Sequence, residues 1–447
     1  MFGKVLVANR GEVALRVIRA CRELGIASVA VYSDADEEAL HVRHADEAVN
    51  IGPPPASKSY LNAEALIGAA KEMNAEAIHP GYGFLAENAG FAAACRDAGI
   101  TFVGPSAEAI EKMGNKSAAR RIAESADVPV VPGSEDTASP DEAVEMAEEI
   151  GYPVMVKAAA GGGGRGIRVA GGEEELRKAV RVARQEAEKA FGDGSLYLEK
   201  LLVGPRHVEV QVMGDGRGSA IHLFERECSM QRRRQKVLEE APSPGISSET
   251  REKMTGAAVR LAREVGYASA GTVEFLVDED QNFYFIEMNT RIQVEHPVTE
   301  MLTGVDLVKE QLRVAAGEPL SLRQEDVPFV GHAMEFRVNA EDPDQGFMPS
   351  PGEISALEVP GGPGVRVDSA IYQGYKIPPF YDSLVGKLIV WGLDREETIK
   401  RARRALGEYR IEGIKTTIPL HLRLLDDENF RSGEYHTGYL EELLGDR

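Results

Sequence analysis

The sequence predicts a protein of mixed class, part α/β and part α+β. We expect an open parallel sheet at the N-terminus, then a small α+β unit, then a mixed, largely antiparallel domain at the C-terminus. Three observations lead to this prediction. Strand-like runs alternate with helical periods over the first hundred residues, four consecutive glycines follow residue 160, and antiparallel strands mix with helices from Gly204 onward. A length of 447 residues suits about three domains of roughly 150 residues each.

The N-terminal hundred residues alternate between two periodicities. Apolar runs of strand length cover residues 4–8, 28–32, 77–79 and 100–103, and helical periods cover residues 13–24, 63–73 and 91–98. Strand alternating with helix is the pattern of βαβ units on a parallel sheet. Ligands bind beyond the carboxyl ends of such strands, where the loops at residues 9–12 and 79–84 lie.

A small α+β unit surrounds the glycine run. Ser139-Pro140-Asp141-Glu142 predicts a capped helix that ends at Gly151. Its other elements are expected at residues 153–158 (strand), 167–170 (strand), 173–189 (helix) and 196–199 (strand). P-loops and dinucleotide-binding loops lead into a helix, whereas this glycine run joins two strands. It therefore predicts a flexible flap that closes over phosphates, with Lys157 and Arg165 as flanking cations, and an ordinary mobile surface loop is the alternative.

Two acidic strands near residue 280 predict a metal site. A hairpin over residues 272–289 places Glu274 and Glu287 opposite each other if its turn holds two or four residues. Like charges in that position destabilise a sheet unless a cation lies between them. Alternation beyond Glu287 puts the following side chains on one face of a continuing strand: Asn289, Arg291, Gln293 and Glu295. Glutamate and asparagine supply the oxygen ligands that Mg²⁺ prefers, so this face and the flap together indicate ATP binding, with a solvent-exposed polar face as the alternative.

Charge and hydropathy limit the partners. Lysine and arginine number 51 and aspartate and glutamate 72, so the formal charge is −21, which excludes a nucleic-acid-binding surface as the main function. The dense basic run at residues 230–236 suits an anionic substrate or product, or is a solvated strand or loop. No apolar stretch reaches the roughly 18 residues of a membrane span, and the N-terminus lacks a signal-like apolar region. We therefore expect a cytoplasmic protein without a membrane partner.

Several motifs together carry a resemblance to a known family. They are K-V-L-V-A-N-R-G-E from Lys4, H-P-G-Y-G-F-L-A-E-N from His79, G-G-G-G-R-G from Gly161, R-E-C-S-M-Q-R-R from Arg226 and F-I-E-M-N-T-R-I-Q-V-E-H-P-V-T-E from Phe285. On these residues the chain resembles a biotin carboxylase of the ATP-grasp superfamily over essentially its full length. The last block is nearly diagnostic of biotin-dependent carboxylases.

The resemblance implies a division of the chain. Its parts are an N-terminal pre-ATP-grasp domain (1–113), a connecting helix (114–130), a small mobile lid (131–203), the ATP-grasp core (204–330) and a C-terminal domain (331–447). It also implies three sets of site residues. The ATP contacts are Lys116, Lys157, Gly163, Gly164, Glu199, Lys200, Leu201, Leu202, His207, Gln231 and Arg234, and the metal ligands, which also face the nucleotide, are Glu274, Glu287 and Asn289. The family commonly has histidine where Arg234 stands, on the ribose side of the nucleotide.

The resemblance assigns chemistry to the remaining residues. Bicarbonate would contact Lys236, Arg291, Gln293 and Val294, with Glu295 as the base that deprotonates it and Arg337 against the ureido oxygen of biotin. Lys236, Arg291 and Glu295 are the expected catalytic residues. The implied cofactors and substrates are ATP, Mg²⁺ or Mn²⁺, bicarbonate and biotin.

The implied reaction is the first half-reaction of acetyl-CoA carboxylase, which leads to malonyl-CoA and fatty acids. The sequence holds no A-M-K-M-type biotinyl-lysine motif and ends at Arg447 without a carboxyltransferase domain. We therefore expect a separate subunit, usually a homodimer in this family, that works with a biotin carboxyl carrier protein and carboxyltransferase subunits. The alternatives are a propionyl-CoA or pyruvate carboxylase subunit, another ATP-grasp ligase that forms an acyl phosphate, and a nucleotide-binding regulatory protein without activity.

Overall fold

The computed structural model describes residues 1–133, 139–158, 168–191 and 194–445. The N-terminal elements are β1 (Lys4–Val7), α1 (Gly11–Glu23), β2 (Ala27–Tyr32), α2 (Leu40–His44), β3 (Glu47–Asn50), α3 (Ala63–Glu72), β4 (Ala77–His79), α4 (Ala89–Asp97) and β5 (Thr101–Phe102). They build a parallel sheet of order β3-β2-β1-β4-β5, which confirms the predicted parallel sheet. The short edge strand β3 was not predicted, because its four residues include only two apolar side chains.

Local sequence explains how this domain is built. The side chains of Val5, Leu6 and Val7 are fully buried, so β1 lies at the centre of the sheet with helices on both faces. Helix α1 buries its apolar side against that strand and is followed by Gly25, whose φ of 72° turns the chain into β2. The loops at the carboxyl ends of β1 and β4 are joined, since Asn9 Nδ2 donates to the carbonyl oxygen of Pro80 at 2.7 Å.

The connecting helices and the small unit follow. They comprise α5 (Ala107–Gly114), α6 (Lys116–Ser125), α7 (Pro140–Ile150), β6 (Val154–Ala158), β7 (Arg168–Ala170), α8 (Glu173–Phe191) and β8 (Leu196–Lys200). Ser139 caps α7 by accepting from the Glu142 N–H at 3.2 Å, as predicted. The sheet order is β7-β6-β8 with antiparallel pairs, so the predicted strands on either side of the glycine run do pair. The run itself, with Gly163 and Gly164, lies outside the described residues.

One antiparallel sheet forms the centre of the rest of the chain. Its strands are β9 (Arg206–Asp215), β10 (Ala220–Arg232), β11 (Gln235–Ala241), β12 (Ala268–Val277), β13 (Phe283–Asn289), β14 (His332–Asn339), β18 (Val365–Ser369) and β19 (Leu384–Gly392). Their order is β13-β12-β9-β10-β11-β14-β19-β18. Because β11 pairs with β14, the sheet is continuous across residue 330, the predicted boundary between the core and the C-terminal domain.

The remaining elements cover this sheet. The short strands β15 (Glu341–Asp342), β16 (Met348–Pro349), β17 (Ala356–Glu358) and β20 (Arg410–Glu412) form two ribbons, β15 with β16 and β17 with β20. The helices are α9 (Ser248–Glu264), α10 (His296–Thr303), α11 (Leu307–Ala315), α12 (Arg395–Glu408), α13 (Ile418–Leu424), α14 (Glu428–Ser432) and α15 (Tyr439–Leu444). Helix α9 packs on β9 and β10, and α10 packs across β10, β11, β14 and β19. None of the helices that the structure describes is long and apolar enough to cross a membrane.

A pair of glycine substitutions tests this packing. A Cβ atom at Gly214 in β9 would overlap the backbone carbonyl oxygen of Tyr267, whereas one at the exposed Gly68 in α3 would meet nothing within 4 Å. We expect Gly214→Ala to lower the melting temperature, since overpacking costs about 1–3 kcal/mol. Gly68→Ala should raise it slightly, because alanine favours a helix interior by about 0.5–1 kcal/mol. Equal melting temperatures for the two variants would contradict the packing of β9 on residue 267.

Candidate active site

The acidic hairpin has the predicted pairing, although its turn differs from the prediction. Glu274 in β12 and Glu287 in β13 are direct cross-strand partners. The loop between the strands has five residues, because Val277 pairs with Phe283, so the expected turn of two or four residues is wrong. A register shift beside Glu274 leaves Ile286 outside the pairing and compensates for the odd residue. The bulge thus restores the carboxylate pair that the turn alone would have separated.

The chain after β13 does not continue as the predicted strand. The strand ends at Asn289, and residues 290–295 form an irregular segment before α10, anchored by the fully buried Ile292. The polar side chains nevertheless converge on Glu274: its Oε1 accepts from Asn289 Nδ2 at 2.7 Å and from Gln293 Nε2 at 3.0 Å. Tertiary packing rather than strand pleating therefore brings these side chains together.

Lys236 is the cation at the centre of the site. Its Nζ donates to Glu295 Oε1 at 2.6 Å and Glu209 Oε2 at 2.7 Å, and lies 3.3 Å from Glu274 Oε1. Burial opposes the charged form, but the surrounding acidic groups hold the pKa of Lys236 well above its usual value. The basic run that the sequence singled out thus places one lysine among three carboxylates, while Arg234 lies exposed in the turn before it.

Glu295 is a buried carboxylate between two cations. Lys236 binds one of its oxygens, and Arg337 Nη2 donates to the other at 3.0 Å. Burial would raise the pKa of Glu295, but Lys236 and Arg337 outweigh burial and hold it well below its usual value. The residue is therefore ionised. The role of base, which the resemblance to the family implies for Glu295, stays a prediction. Arg337 also donates from Nε to Glu239 Oε1 at 2.6 Å.

A second layer of charge lies behind Arg337. Glu335 pairs with Glu239 across the ladder of β14 and β11, and neither oxygen of Glu335 has a hydrogen-bond partner among the described residues. Burial raises the pKa of Glu335 well above its usual value; Lys387 opposes this rise and Glu239 adds to it. Lys387 Nζ donates to the carbonyl oxygen of Val294 at 2.8 Å and lies 3.1 Å from Glu12 Oε1. This layer ties the backbone of the site to the first domain.

The predicted metal ligands lie side by side. The residues Glu274, Glu287 and Asn289 present carboxylate and amide oxygens, the donor type that Mg²⁺ prefers. Burial raises the pKa of Glu287 above its usual value, and the facing charge of Glu274 adds to this rise. Glu274 has cations of its own, since His207 Nε2 lies 3.0 Å from its Oε2. A divalent cation at Glu287 would relieve the repulsion between the two carboxylates, so this donor set fits a magnesium ion.

The predicted nucleotide contacts lie between the small unit and the large sheet. Lys157 in β6 forms an ion pair with Glu199 in β8. The side chain of Lys200 instead holds the small unit together, because its Nζ donates to the carbonyl oxygens of Gly151 and Tyr152, each at 2.9 Å. Lys116, the first residue of α6, is close enough to Glu287 to favour its charged form. Leu201 and Leu202 follow β8 directly, and Gln231 is buried near the end of β10.

The turn before Lys236 has an unusual backbone. Arg233 and Arg234 connect β10 to β11 as a two-residue turn with φ values of 49° and 65°. Both are left-handed conformations that glycine or asparagine usually adopts in such turns. The Arg233 N–H donates to Glu441 Oε1 at 2.7 Å, which holds the turn against α15.

Sequence reasoning missed several residues of the site. Glu87, at the end of the motif from His79, accepts from the Thr290 N–H at 3.0 Å and from Arg291 Nε at 2.9 Å, so the first domain holds Arg291 in place. Glu209, which binds Lys236, is fully buried in β9. The strand sequence H-V-E-V-Q alternates polar with apolar residues, which places His207, Glu209 and Gln211 on one face of the strand. This alternation could have identified Glu209 from the sequence.

A cavity of about 320 Å³ adjoins the site on the side of the C-terminal residues. It is lined by residues that include Lys236, Arg337, Arg232, Phe347 and Glu341. Arg232 lies over the ring of Phe347, 4.2 Å from its centroid. Lys236 and Arg337 therefore both face this cavity.

The fold and the acidic site define an ATP-grasp ligase. Residues 115–323 match the family model described as the ATP binding domain of the carbamoyl-phosphate synthase L chain. Residues 1–110 match the biotin carboxylase N-terminal domain, and residues 335–442 match the biotin carboxylase C-terminal domain. The chain belongs to the biotin carboxylase family, as its sequence motifs indicated, and it is an enzyme of that ligase class.

Curated relatives and solved structures agree with this membership. The chain is 59% identical over 443 residues to biotin carboxylase 1 of Bacillus subtilis, with 99% of this chain and 98% of the relative covered. It is 56% identical to a pyruvate carboxylase subunit of Methanothermobacter thermautotrophicus, with 99% and 90% covered. The structure of a biotin carboxylase–β-γ-ATP complex from Campylobacter jejuni is similar, with a TM-score of 0.92, 48% identity and 99% of each chain covered. A second similar structure is the biotin carboxylase domain of a thermophilic 2-oxoglutarate carboxylase bound to bicarbonate. Its TM-score is 0.95 and its sequence identity 54%, with 99% of this chain and 98% of the other covered.

The buried acid Glu335 gives a prediction about stability and pH. Because the folded chain keeps the proton of Glu335 at pH values where the unfolded chain releases it, this group makes the folded state less stable as the pH rises. Glutamine cannot ionise, so the melting temperature of Glu335→Gln should rise relative to wild type as the pH increases above 4.5, the ordinary pKa of glutamate. The exposed Glu145→Gln is the control and should show a constant offset. A constant offset for both variants would show that Glu335 is ionised in the folded protein.

Proposed function

We propose that the protein carboxylates biotin on a separate carrier protein as the first half-reaction of an acetyl-CoA carboxylase. Its substrates are those of the biotin carboxylase family: ATP with Mg²⁺, bicarbonate and biotin. The observation that carries the proposal is the carboxylate of Glu295, ionised between Lys236 and Arg337 and next to the oxygen donors of Glu274. A base between two cations can take the proton of an anion that those cations attract.

The proposed reaction begins at Glu295. Its carboxylate takes the proton of bicarbonate, and the resulting oxyanion attacks the γ-phosphorus of ATP, so that carboxyphosphate forms and ADP leaves. Lys236 and Arg291 offset the charge of the attacking anion, and the amide of Gln293 orients it. Arg291 is held for this role, because Nε binds Glu87 at 2.9 Å and Nη2 donates to Asn289 Oδ1 at 3.0 Å.

The second step takes place on the side of Arg337. Carboxyphosphate releases CO₂ beside biotin, the phosphate takes the ureido proton, and the ureido nitrogen attacks CO₂. The guanidinium of Arg337 would stabilise the negative charge on the ureido oxygen. The adjoining cavity supports this assignment, because it reaches both Arg337 and Lys236.

The nucleotide and its metal belong at the other end of the site. Glu274, Glu287 and Asn289 would hold Mg²⁺, which when bound neutralises charge on the transferred phosphoryl group. Lys116, Lys157 and His207 would contact the nucleotide, with the chain from Glu199 to Leu202 on the adenine side. The glycines at 163 and 164 would cover the phosphates and exclude water from carboxyphosphate. Arg234 replaces the usual histidine on the ribose side.

The relatives set the alternatives for the final acceptor. The pyruvate carboxylase subunit from Methanothermobacter thermautotrophicus and the 2-oxoglutarate carboxylase small subunit of Hydrogenobacter thermophilus are each 56% identical to this chain, close to the 59% of biotin carboxylase 1. Acetyl-CoA is our proposal, with a biotin carboxyl carrier protein and carboxyltransferase subunits as partners and a homodimer as the assembly. Reconstitution with each carrier and carboxyltransferase would distinguish acetyl-CoA from propionyl-CoA, pyruvate and 2-oxoglutarate as acceptors.

The activity itself is tested by ADP release from the purified protein with Mg-ATP. We expect release to depend on bicarbonate and to rise strongly when free biotin is added. ADP that appears without bicarbonate, or a rate that biotin does not change, would contradict the substrate assignment. That result would point instead to another ATP-grasp ligase, and a complete lack of turnover would point to a protein that only binds nucleotide.

Arg291 is predicted to act in the transition state more than in ATP binding. Removing one charged group that stabilises a transferred phosphoryl group costs about 10²- to 10³-fold in kcat. We expect Arg291→Ala to lose turnover to this extent, with a much smaller change in KM for ATP. Arg323→Ala is the matched control, because Arg323 is exposed and forms its ion pairs locally, with Glu325 and Asp326. An Arg291→Ala enzyme with full turnover and weaker ATP binding would refute this role.

A further inference from the structure

Arg226 is the most completely bonded side chain beneath the active site. It lies in β10, at the start of the R-E-C-S-M-Q-R-R motif, and its relative solvent exposure is 0%. A guanidinium has five N–H donors, and all five are used here. The acceptors are Glu209 Oε1 (2.6 Å), Gln211 Oε1 (2.6 Å), Thr299 Oγ1 (3.0 Å), Thr272 Oγ1 (3.0 Å) and Gln293 Oε1 (2.6 Å).

The bond to Gln293 decides which way that amide points. Arginine can only donate, so the carbonyl oxygen of the Gln293 side chain must face Arg226. The NH₂ group then faces the site, where Nε2 donates to Glu274 Oε1 at 3.0 Å. A flipped amide would place its oxygen against the carboxylate of Glu274 and would repel an incoming anion. Arg226 therefore makes Gln293 a donor toward the site.

The bond to Glu209 acts on Lys236. The carboxylate of Glu209 bridges two cations, with Oε1 on Arg226 and Oε2 on Lys236 at 2.7 Å. Both carboxylate oxygens are held, so the ammonium of Lys236 has a fixed partner on the side of β9. Loss of the Arg226 bond would free Glu209 to rotate and would let Lys236 move away from Glu295.

Both effects reach residues on the bicarbonate side of the proposed site. Gln293 and Lys236 are proposed contacts of bicarbonate, whereas none of the five acceptors of Arg226 is a proposed contact of ATP. Substituting such a residue should therefore change KM for bicarbonate much more than KM for ATP.

We propose that Arg226 is a positioning residue for bicarbonate, which orients the Gln293 amide as a donor and holds Lys236 through Glu209. This inference rests on the proposed function, because it assigns bicarbonate to that end of the site. Under this proposal the reaction requires Arg226 even though Arg226 contacts neither substrate.

The first test is Arg226→Lys. Lysine keeps the charge but has one nitrogen, which cannot reach Glu209 and Gln293 in the way that separate guanidinium nitrogens do. We expect KM for bicarbonate to rise about tenfold or more and kcat to fall on the order of 10²-fold, as misplaced groups produce, while KM for ATP stays within about threefold. Equal changes in both KM values, or an unchanged KM for bicarbonate, would overturn the proposal.

Arg395→Lys is the matched control. Arg395 is half-buried and binds the carboxylate of Glu240 with Nε at 2.7 Å and Nη2 at 3.0 Å, but it ties β11 to the backbone of α14 and not to the site. This variant should lower the melting temperature without changing the ratio of the two KM values. A changed ratio in the control would show that general loosening produces the effect, and the proposal would fall.

Two further measurements keep the proposal falsifiable. If Arg226→Lys does not fold, Thr299→Val can replace it, because this substitution removes one acceptor of Arg226 with little change in shape. It should raise KM for bicarbonate about threefold. An unchanged KM for bicarbonate would overturn the proposal. A crystal structure of Arg226→Lys should show the Gln293 amide turned from Glu274, and a retained contact would contradict the orienting role. If wild type shows no bicarbonate-dependent turnover, the proposed function fails, and the crystal structure alone then decides the orienting role.

Discussion

A cross-strand row of one arginine and three glutamates on four neighbouring strands is the constraint on which the site depends. Arg226, Glu209, Glu274 and Glu287 are successive cross-strand partners on β10, β9, β12 and β13. Three neighbouring carboxylates in one row destabilise a sheet unless cations offset them. Arg226 binds the first of them, and Lys236 contacts the first and second. His207 lies against the other oxygen of the second, whereas the third, Glu287, has no ion pair among the residues that the structure describes. A divalent cation beside Glu287 would offset the charge that burial and Glu274 disfavour there, which is why we propose the metal at this end of the row.

Two further parts of the chain add charged groups to the sheet that holds this row. The first domain supplies Glu87, which holds Arg291, and Glu12, which binds Lys387. The C-terminal strands supply Arg337 and Lys387, which are brought to Glu295 and Val294 because β11 pairs with β14 in one continuous sheet. The site therefore requires all three parts to be folded and docked.

The sequence predicted local features better than connections between distant segments. The parallel sheet, the capped helix at Ser139 and the Glu274–Glu287 pair follow from periodicity, capping and alternation, and all three were found. The prediction that the strand continues after Asn289 was wrong, because Ile292 packs into a hydrophobic core that the first domain shares. The five-residue turn was also missed, since a bulge beside Glu274 compensates for it and alternation does not reveal bulges.

The motifs of the sequence by themselves indicated the family, the order of its parts and the charged groups to which that resemblance assigns the chemistry. The resemblance of its motifs to a known family supplied these, whereas pleating and capping, which act between residues a few positions apart, predicted only local elements such as the helix capped by Ser139. Only the tertiary structure decided that Glu295 is held between Lys236 and Arg337, that Glu87 holds Arg291 and that Arg226 lies beneath Gln293. These contacts join residues that are 42 to 204 positions apart, and their geometry depends on how whole sheets and helices pack.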